Sequence, residues 1–569
     1  MLLIAVLVLN TTHSQIFTPP GTGTPVSMSI EDGLLRINRA FYGILTSVQQ
    51  MVGHDVTDST ADFYRREAYS AVNGFGQSIG AWYAAPDNHS LDMASDDGLK
   101  GTDAGDQPAM SLIETHRVTS SNDITRGKWM LLNQGVEHSN NGLRVLAQNP
   151  TQTDYNLQVA EFRFLRAYFN FEKKRLFNDG SWDVIEDDYA FAIQHLPTQH
   201  SSHTWPSGRP IVFTANAMLG KVHLYQREWS LALTNFNAVI NSGQYALMSQ
   251  MPDLWISSAK PRNREGIWTI NFSSNGEANA QKYWSMGSEI ADSSMSRGLN
   301  HPYISPWGCC GFFQPTQDLV DAYQTTAAGL PKIDGSWKTN HVTHPYPSYD
   351  GTDETTSRNR AGEPIGDPQL DPRLDFTVGR PGILFSDFHI MQIDYIRDLT
   401  YAGPYFTKKH IGTLADFGTG GWGNLTGVDY YIMRYADLLL MAAEAEVEMG
   451  NFEAARGYVN QVRQRAINMR PVSQAFQGRT RVEYTTTSNP AANYNIERYT
   501  STWNSAALSR EKVRFERRLE LALEGHRMFD LWRWGTADAV ISDYANRESR
   551  YRTYLSGVRN TTYWVIPSN

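Results

Sequence analysis

Two stretches of the chain, more than two hundred residues apart, repeat one spacing of apolar side chains. In each, an aromatic residue is followed by apolar residues three, seven and ten positions later, and a small residue lies nine positions before it. The two sets are Gly220, Trp229, Ala232, Phe236, Val239 and Ala443, Phe452, Ala455, Val459, Val462. The spacing lines one face of a helix, and the small residue lets a preceding helix approach closely. The pattern predicts two tetratricopeptide-like helical hairpins, each of which needs a neighbour to cover its apolar stripe.

Helical periodicity lies on both sides of a region with a different composition. Between residues 250 and 430 the chain is rich in Gly, Pro, Ser, Trp and Tyr, and one apolar run predicts a short strand at Gly266–Phe272. The predicted helices cover residues 31–52, 124–148, 155–177, 211–226, 230–242, 430–449, 452–467 and 509–532. The sequence therefore predicts a mainly α fold of helical hairpins with a large, irregular, loop-rich region that carries a few short strands.

The first residues have the features of a targeting segment. Leu2–Leu9 is an apolar run of eight residues, which is too short to cross a bilayer, and a buried N-terminal strand is the alternative. No basic residue precedes the run, which indicates missing upstream residues. The predicted organisation begins with a signal peptide at 1–14 and a flexible tether at 15–30, and for the remaining residues length alone suggests two to four domains.

A dense run of charged and aromatic residues lies near the C-terminus, from Arg514 to Gly535. Within it Glu524, His526 and Asp530 have the residue types of an acid, a base and an orienting group. A metalloprotease helix needs a second histidine four positions away, and His526 has none. The favoured interpretation is a buried polar network in which arginines and carboxylates satisfy each other.

Composition and motifs exclude several functions. A net charge of −9 gives no basic field for a phosphate backbone, so no nucleic-acid partner is predicted. The sequence has no phosphate-binding glycine loop, no nucleophile elbow and no zinc-protease motif. Acidic residues around Asp96 lack the alternation of a calcium loop. No catalytic residue, metal site or cofactor is predicted, although a spatially defined pair of glycosidase carboxylates stays an open alternative.

The run RFERRLELALEGHRMFDLWRWG at 514–535 resembles the C-terminal helix of the SusD/RagB family, the surface nutrient-binding proteins of Gram-negative bacteria. Five further segments agree with the family's pattern in the same order. They are EFRFLRAYF at 161–169, AMLGKVHLY at 217–225, PTQDLVDAY at 315–323, DPRLD at 371–375 and RYADLLLMAAEA at 434–445. Ordered matches over this length identify the chain as similar to that family. The resemblance implies a single domain at 31–569, divided into a helical part at 31–249, a loop-rich ligand-binding part at 250–430 and a second helical part at 431–569.

The resemblance implies a non-enzymatic protein at the extracellular face of the outer membrane. Such a protein captures an oligosaccharide or polysaccharide and delivers it to a SusC-like TonB-dependent outer-membrane transporter. A peptide-binding member is the first alternative, and a glycoside hydrolase is the second. Family members usually carry a lipid-anchor cysteine behind the signal peptide, whereas the cysteines here are Cys309 and Cys310. Membrane association is therefore expected through a lipid anchor or through the transporter.

In the family, glycan contacts come from the loop after a strand that follows the hairpins and from the loop before the PTQDLV helix. By this correspondence Tyr283 and Trp284 in the first loop, and Trp307, Phe312 and Phe313 in the second, are the predicted ligand-binding residues, with core packing as the alternative for each. A third segment contributes Arg117, which suits an acidic sugar or a peptide carboxylate, or else a structural ion pair. Adjacent Cys309 and Cys310 form either a vicinal disulfide or two free thiols.

Overall fold

The computed structural model describes residues 56–73, 89–201, 208–271, 302–303, 310–342, 368–385, 387, 389–416, 428–477 and 483–567. The chain divides into two units, Met1–Thr60 and Ala61–Asn569, and the hydrophobic clusters of the described residues belong to the second. Within the described ranges no helix is both long enough and apolar enough to cross a lipid bilayer.

Helices dominate the described part of the chain, and the strands are short. The helices are α1 Val56–Asn73, α2 His89–Asp92, α3 Pro108–Glu114, α4 Asp123–Leu146, α5 Tyr155–Phe177, α6 Trp182–His195, α7 Val212–Gln226, α8 Trp229–Asn241, α9 Gln317–Ala322, α10 Leu374–Thr377, α11 Leu399–Ala402, α12 Tyr435–Glu448, α13 Phe452–Asn468, α14 Ala506–Leu521, α15 Arg527–Trp534 and α16 Ala537–Glu548. The strands are β1 Gly98–Gly101, β2 Gly266–Ile270, β3 Phe312–Pro315, β4 Val378–Gly379, β5 Phe406–Thr407, β6 Tyr430–Arg434, β7 Ser473–Gln477 and β8 Tyr484–Pro490.

Both predicted hairpins form, as α7–α8 and α12–α13. Helices α4 to α8 pack consecutively, α8 packs against α12, and α12 packs against α13 and α14. The apolar stripe of each hairpin is therefore covered by its neighbour. Gly220 lies at a close approach of the two helices of the first hairpin, since a Cβ there would lie 2.6 Å from Cε1 of Phe236. The small residue thus has the role that the spacing predicts.

Two predicted helices are wrong in part. The block 430–449 begins as strand β6, because Tyr430–Arg434 pairs antiparallel with β2 before α12 starts at Tyr435. The block 509–532 is interrupted between α14 and α15, where Leu523 has a φ of 62° and Gly525 a φ of 79°. The carboxylate of Asp92 accepts a hydrogen bond from the Gly525 N–H at 3.0 Å and so stabilises the non-helical backbone between the two helices. The longer helices α1, α6 and α16 lie outside the predicted blocks, and the block 31–52 lies outside the described residues.

The strands of the described residues form four two-stranded antiparallel sheets, and two of these, β1–β3 and β2–β6, join segments more than 150 residues apart. Strand β2 coincides with the predicted strand, and its partner β6 comes from the other end of the loop-rich region. Strand β1 pairs with β3 in a register that places Gly98 opposite Pro315 and Gly101 opposite Phe312. The chain that follows β1 therefore lies beside the residues that precede β3.

A network of buried ion pairs surrounds α14. Arg434, at the end of β6, is 1% exposed, and its Nη1 lies 2.7 Å from carboxylate oxygens of Glu265 and Glu520. Its Nε donates to Glu524 at 2.7 Å. Burial acts to lower the pKa of Arg434, but the three carboxylates raise it well above its usual value, so the guanidinium stays charged.

Arg518 extends this network to the start of β1. Its Nε donates to Asp97 at 2.7 Å, and its Nη2 lies 3.0 Å from Asp96 and 2.9 Å from Asp318. Asp318 lies in the first turn of α9, directly after β3. One guanidinium therefore holds the beginnings of β1 and α9 against the same helix.

The close approach at Gly220 gives a direct test of hairpin packing. Gly220→Ala places a methyl group against the Phe236 ring, so we expect overpacking to lower the free energy of unfolding by about 1–3 kcal/mol. Gly457→Ala is the matched control, because Gly457 is an exposed position in α13 where an added Cβ would have no atom within 4 Å. That control should raise stability by about 0.5–1 kcal/mol through helix propensity. Urea unfolding measures both changes in the free energy of unfolding. Changes of the same sign in the two variants would contradict the packing account.

A second test concerns the buried guanidinium of Arg434. Arg434→Ala removes one buried cation from three buried carboxylates, each of which keeps a second cationic partner. Because the hydrogen bonds of the guanidinium are lost inside the protein, we expect a loss of about 3–5 kcal/mol in the free energy of unfolding. Arg126→Ala is the control, because Arg126 and its partner Asp123 are 53% and 69% exposed. An exposed pair contributes at most about 1 kcal/mol. Similar losses in the two variants, measured by urea unfolding, would show that the network is not what stabilises this region.

Candidate functional site

The acid, base and orienting residues of the C-terminal run are buried structural groups. Glu524 is 3%, His526 9% and Asp530 5% exposed. Glu524 binds Arg434 and also accepts from Lys409 Nζ at 2.7 Å. Asp530 accepts from Arg517 Nε at 2.9 Å. Both carboxylates are paired with cations inside the protein, so the buried network predicted for this run is what the structure contains.

Acidification should destabilise the protein through His526. Burial lowers the pKa of His526 to about 4, and nearby Asp437 acts in the opposite direction. As the pH falls, the unfolded chain takes up this proton near pH 6.5, before the folded chain does. The contribution of His526 to the free energy of unfolding is therefore complete above about pH 6.5 and is lost as the pH falls towards 4. This single group accounts for up to about 3 kcal/mol of that loss.

His526→Gln removes the titrating group and should therefore reduce the loss of stability between pH 6.5 and pH 4. The buried carboxylate of Glu520 has its pKa lowered by the surrounding arginines against the effect of burial, so its contribution is lost at lower pH and remains in the variant. Urea unfolding of both proteins across this range measures the difference. An unchanged pH dependence in the variant would contradict the assignment to His526.

A different group of polar residues faces solvent where β1 ends. The loop at residues 102–106 curls around the buried ammonium of Lys100, whose Nζ donates to the carbonyl oxygens of Asp103 at 2.8 Å and Asp106 at 2.7 Å. Burial lowers the pKa of Lys100, while Glu114, Asp106 and Asp103 oppose the shift. Asp103 Oδ1 accepts the N–H groups of Gly105 and Asp106, both at 2.9 Å. The loop is thus held in one shape by its own polar groups.

Tyr303 lies beside this loop and is 44% exposed. The guanidinium carbon of Arg397 lies 5.1 Å from the centroid of the Tyr303 ring. The same guanidinium contacts Asp103 and Asp106 at 2.7 Å each, and Thr102 Oγ1 at 3.0 Å. We name these five residues the Tyr303 cluster. It combines an exposed aromatic ring with charged groups that are about 30% exposed, as a site for a polar ligand with an apolar face requires.

The backbone positions the two sides of the cluster relative to each other. The Thr102 N–H donates to the Gly311 carbonyl at 2.6 Å, just before β3. Gly101 has a φ of 78°, and a Cβ at this position would lie 2.5 Å from the Gly311 oxygen, so the turn requires glycine. The Tyr303 N–H donates to the Tyr395 carbonyl at 3.3 Å, which places the tyrosine next to Arg397.

The predicted ligand-binding residues have different positions. Tyr283, Trp284 and Trp307 lie outside the described residues, so their role stays a prediction. Phe312 and Phe313 are 1% and 3% exposed in β3 and pack into the main core, so neither ring presents a face to solvent in this arrangement.

Arg117 is exposed, beyond the C-terminal end of α3. The residues that the structure describes give its side chain no ion pair. Helix α3, about 10 Å long, separates it from the 102–106 loop. The structure therefore does not bring Arg117 together with the Tyr303 cluster, and its ligand role stays a prediction.

Sequence reasoning missed Tyr303 and Arg397. Tyr303 follows Pro302 in the second predicted loop, four positions before Trp307, and its position there is the one signal that could have indicated it. Arg397 lies in no motif and reaches the loop from almost three hundred residues away, so no local pattern indicates it.

Cys310 is in a disulfide, and the only other cysteine of the chain is Cys309.

Comparison with known proteins establishes the family. The model of the SusD family matches residues 264–569, and the chain belongs to this family. SusD-like protein P2 of Formosa agariphila is 25% identical over 347 residues, which cover 56% of this chain and 57% of the relative. The match thus spans little more than half the length of that curated relative.

Solved structures share the fold at lower identity. A SusD superfamily protein from Bacteroides vulgatus aligns with a TM-score of 0.62 and 17% identity, covering 89% of this chain and 95% of that chain. Surface glycan-binding protein A from Bacteroides thetaiotaomicron, solved in complex with laminarihexaose, aligns with a TM-score of 0.58 and 18% identity, covering 90% and 97%. The predicted mainly helical, SusD-like fold is confirmed.

Proposed function

We propose that this protein binds an oligosaccharide or polysaccharide at the extracellular face of the outer membrane and hands it to a SusC-like TonB-dependent transporter. The observation that carries the proposal is the Tyr303 cluster, an exposed aromatic ring beside charged groups on a rigid loop. Membership of the SusD family supports a binding role, and a related fold has been solved with bound laminarihexaose.

The chemistry of the cluster suits a pyranose. One face of a sugar ring carries C–H groups that pack on an aromatic ring, while its hydroxyls need hydrogen-bond partners. Tyr303 supplies the ring, and Asp103 and Asp106 supply acceptors whose position is fixed by Arg397. Because each carboxylate keeps lone pairs beyond those that bind Arg397, acceptors remain for the ligand.

Further aromatic residues are proposed to extend this platform. Trp307 follows Tyr303 by four positions, and Tyr283 and Trp284 precede it in the same loop-rich region. A shallow aromatic platform with few polar contacts binds weakly, which suits a protein that must release its ligand to a transporter. The paired helical hairpins form a broad, rigid surface on which a protein partner of this kind can dock.

Calorimetry with laminarihexaose, and then with a panel of other oligosaccharides, tests the proposal. Tyr303→Ala removes the stacking surface and should weaken binding of whichever glycan binds best by about tenfold, which corresponds to about 1.4 kcal/mol. Tyr563→Ala is the matched control, because Tyr563 is also a partly exposed tyrosine, at 43%, and lies outside the cluster. We expect its affinity to equal that of the wild type.

Three outcomes would contradict the proposal. Binding of peptides without binding of any glycan would favour the peptide-capturing alternative. Release of reducing sugar from a polysaccharide, abolished by substitution of one Asp or Glu, would identify the protein as a hydrolase; we expect none. An equal loss of glycan affinity in Tyr303→Ala and Tyr563→Ala would place the site elsewhere.

A further inference from the structure

Three metal-ligating side chains meet at the turn between α7 and α8, outside the Tyr303 cluster. Glu186 comes from α6, His223 from the last turn of α7, and Glu228 from the residue before α8. One ligand atom of each lies within 4.8 Å of the others. Among the residues that the structure describes, this is the group of His, Cys, Asp and Glu side chains that meets this condition.

We propose that Glu186, His223 and Glu228 bind a divalent transition-metal ion, with Zn²⁺ as the best match. One imidazole nitrogen and two carboxylate oxygens are a ligand set that zinc accepts in proteins. The two carboxylates balance the charge of the ion. Calcium and magnesium prefer oxygen ligands alone, so the histidine argues against them.

The present geometry needs only small side-chain movements to become a metal site. Zinc bonds of about 2.0–2.2 Å place tetrahedral ligand atoms about 3.3–3.6 Å apart, which is inside the 4.8 Å limit. His223 Nδ1 now lies 2.6 Å from Glu228 Oε2, so these atoms share a hydrogen that the metal displaces. Glu228 is 42% exposed and can rotate towards the ion.

The remaining contacts of the group are compatible with a bound ion. Gln226 Nε2 donates to Glu186 Oε1 at 2.5 Å, which leaves the second oxygen of Glu186 for the metal. The backbone N–H of Glu228 donates to the His223 carbonyl at 2.9 Å, so the turn that carries two of the ligands is already formed. Since the three ligands come from α6 and from the α7–α8 hairpin, the ion would tie these elements together. Three protein ligands leave one tetrahedral position, which water can fill because the group faces solvent.

The test uses zinc chloride and the full chain. We expect the wild type to retain zinc after dialysis, measured by atomic emission, and to unfold at a higher temperature with zinc than with chelator. Loss of a group that only orients a metal ligand already costs about tenfold in affinity, so Glu186→Gln and Glu228→Gln should each weaken zinc binding by at least about tenfold. Calorimetry in the presence of a competing chelator measures that loss.

Glu511→Gln is the control, since Glu511 is also an exposed glutamate and lies 3.9 Å from its nearest cationic partner, Arg514. Its zinc affinity should match the wild type. Both test variants change partly exposed carboxylates, so far-ultraviolet circular dichroism is expected to show an unchanged fold. Absence of zinc binding in the wild type, or equal affinity in the wild type, Glu186→Gln and Glu228→Gln, would overturn the proposal.

Discussion

Arg518 lies among three carboxylates from parts of the chain that are far apart in sequence. Asp96 and Asp97 precede β1, Asp318 lies in the first turn of α9, and the guanidinium itself comes from α14. Each charge is nearly inaccessible to water, so each depends on the others to offset the cost of its burial. These ion pairs hold the start of β1 beside the end of β3, and the Thr102–Gly311 hydrogen bond joins the end of β1 to the start of β3. The position of the 102–106 loop therefore follows from the network.

The helical hairpins and the loop-rich region have separate roles in this arrangement. Packing of α7–α8 against α12–α13 gives a rigid framework, and the close approach of α7 to α8 needs Gly220. The network around Arg434 then fixes β6 and α14 to that framework. Loops mounted on such a framework can present polar and aromatic groups without the entropy cost of ordering them on binding. The Tyr303 cluster is the described example: Lys100 binds the backbone of the 102–106 loop, and Arg397 contacts both the loop and the Tyr303 ring.

Local patterns predicted much of this fold and little of the site. The hairpins follow from periodicity within short windows, and strand β2 follows from one apolar run. Strand β6 was mistaken for helix because Tyr430–Arg434 continues the apolar pattern of α12, and only its pairing with β2 separates the two. The break after α14 depends on Asp92, more than four hundred residues away. Tyr303 and Arg397 also meet through contacts between separate segments of the chain, which no single motif contains.

The central claim is that a sugar ring packs on Tyr303 while its hydroxyls bond to the 102–106 loop. The most direct measurement is a crystal structure of the protein with the best-binding oligosaccharide, for which laminarihexaose is the first candidate. The account predicts a pyranose face on the Tyr303 ring, with hydroxyls within hydrogen-bond distance of Asp103, Asp106 or Arg397. An oligosaccharide bound elsewhere, with the Tyr303 ring still exposed to solvent, would contradict it.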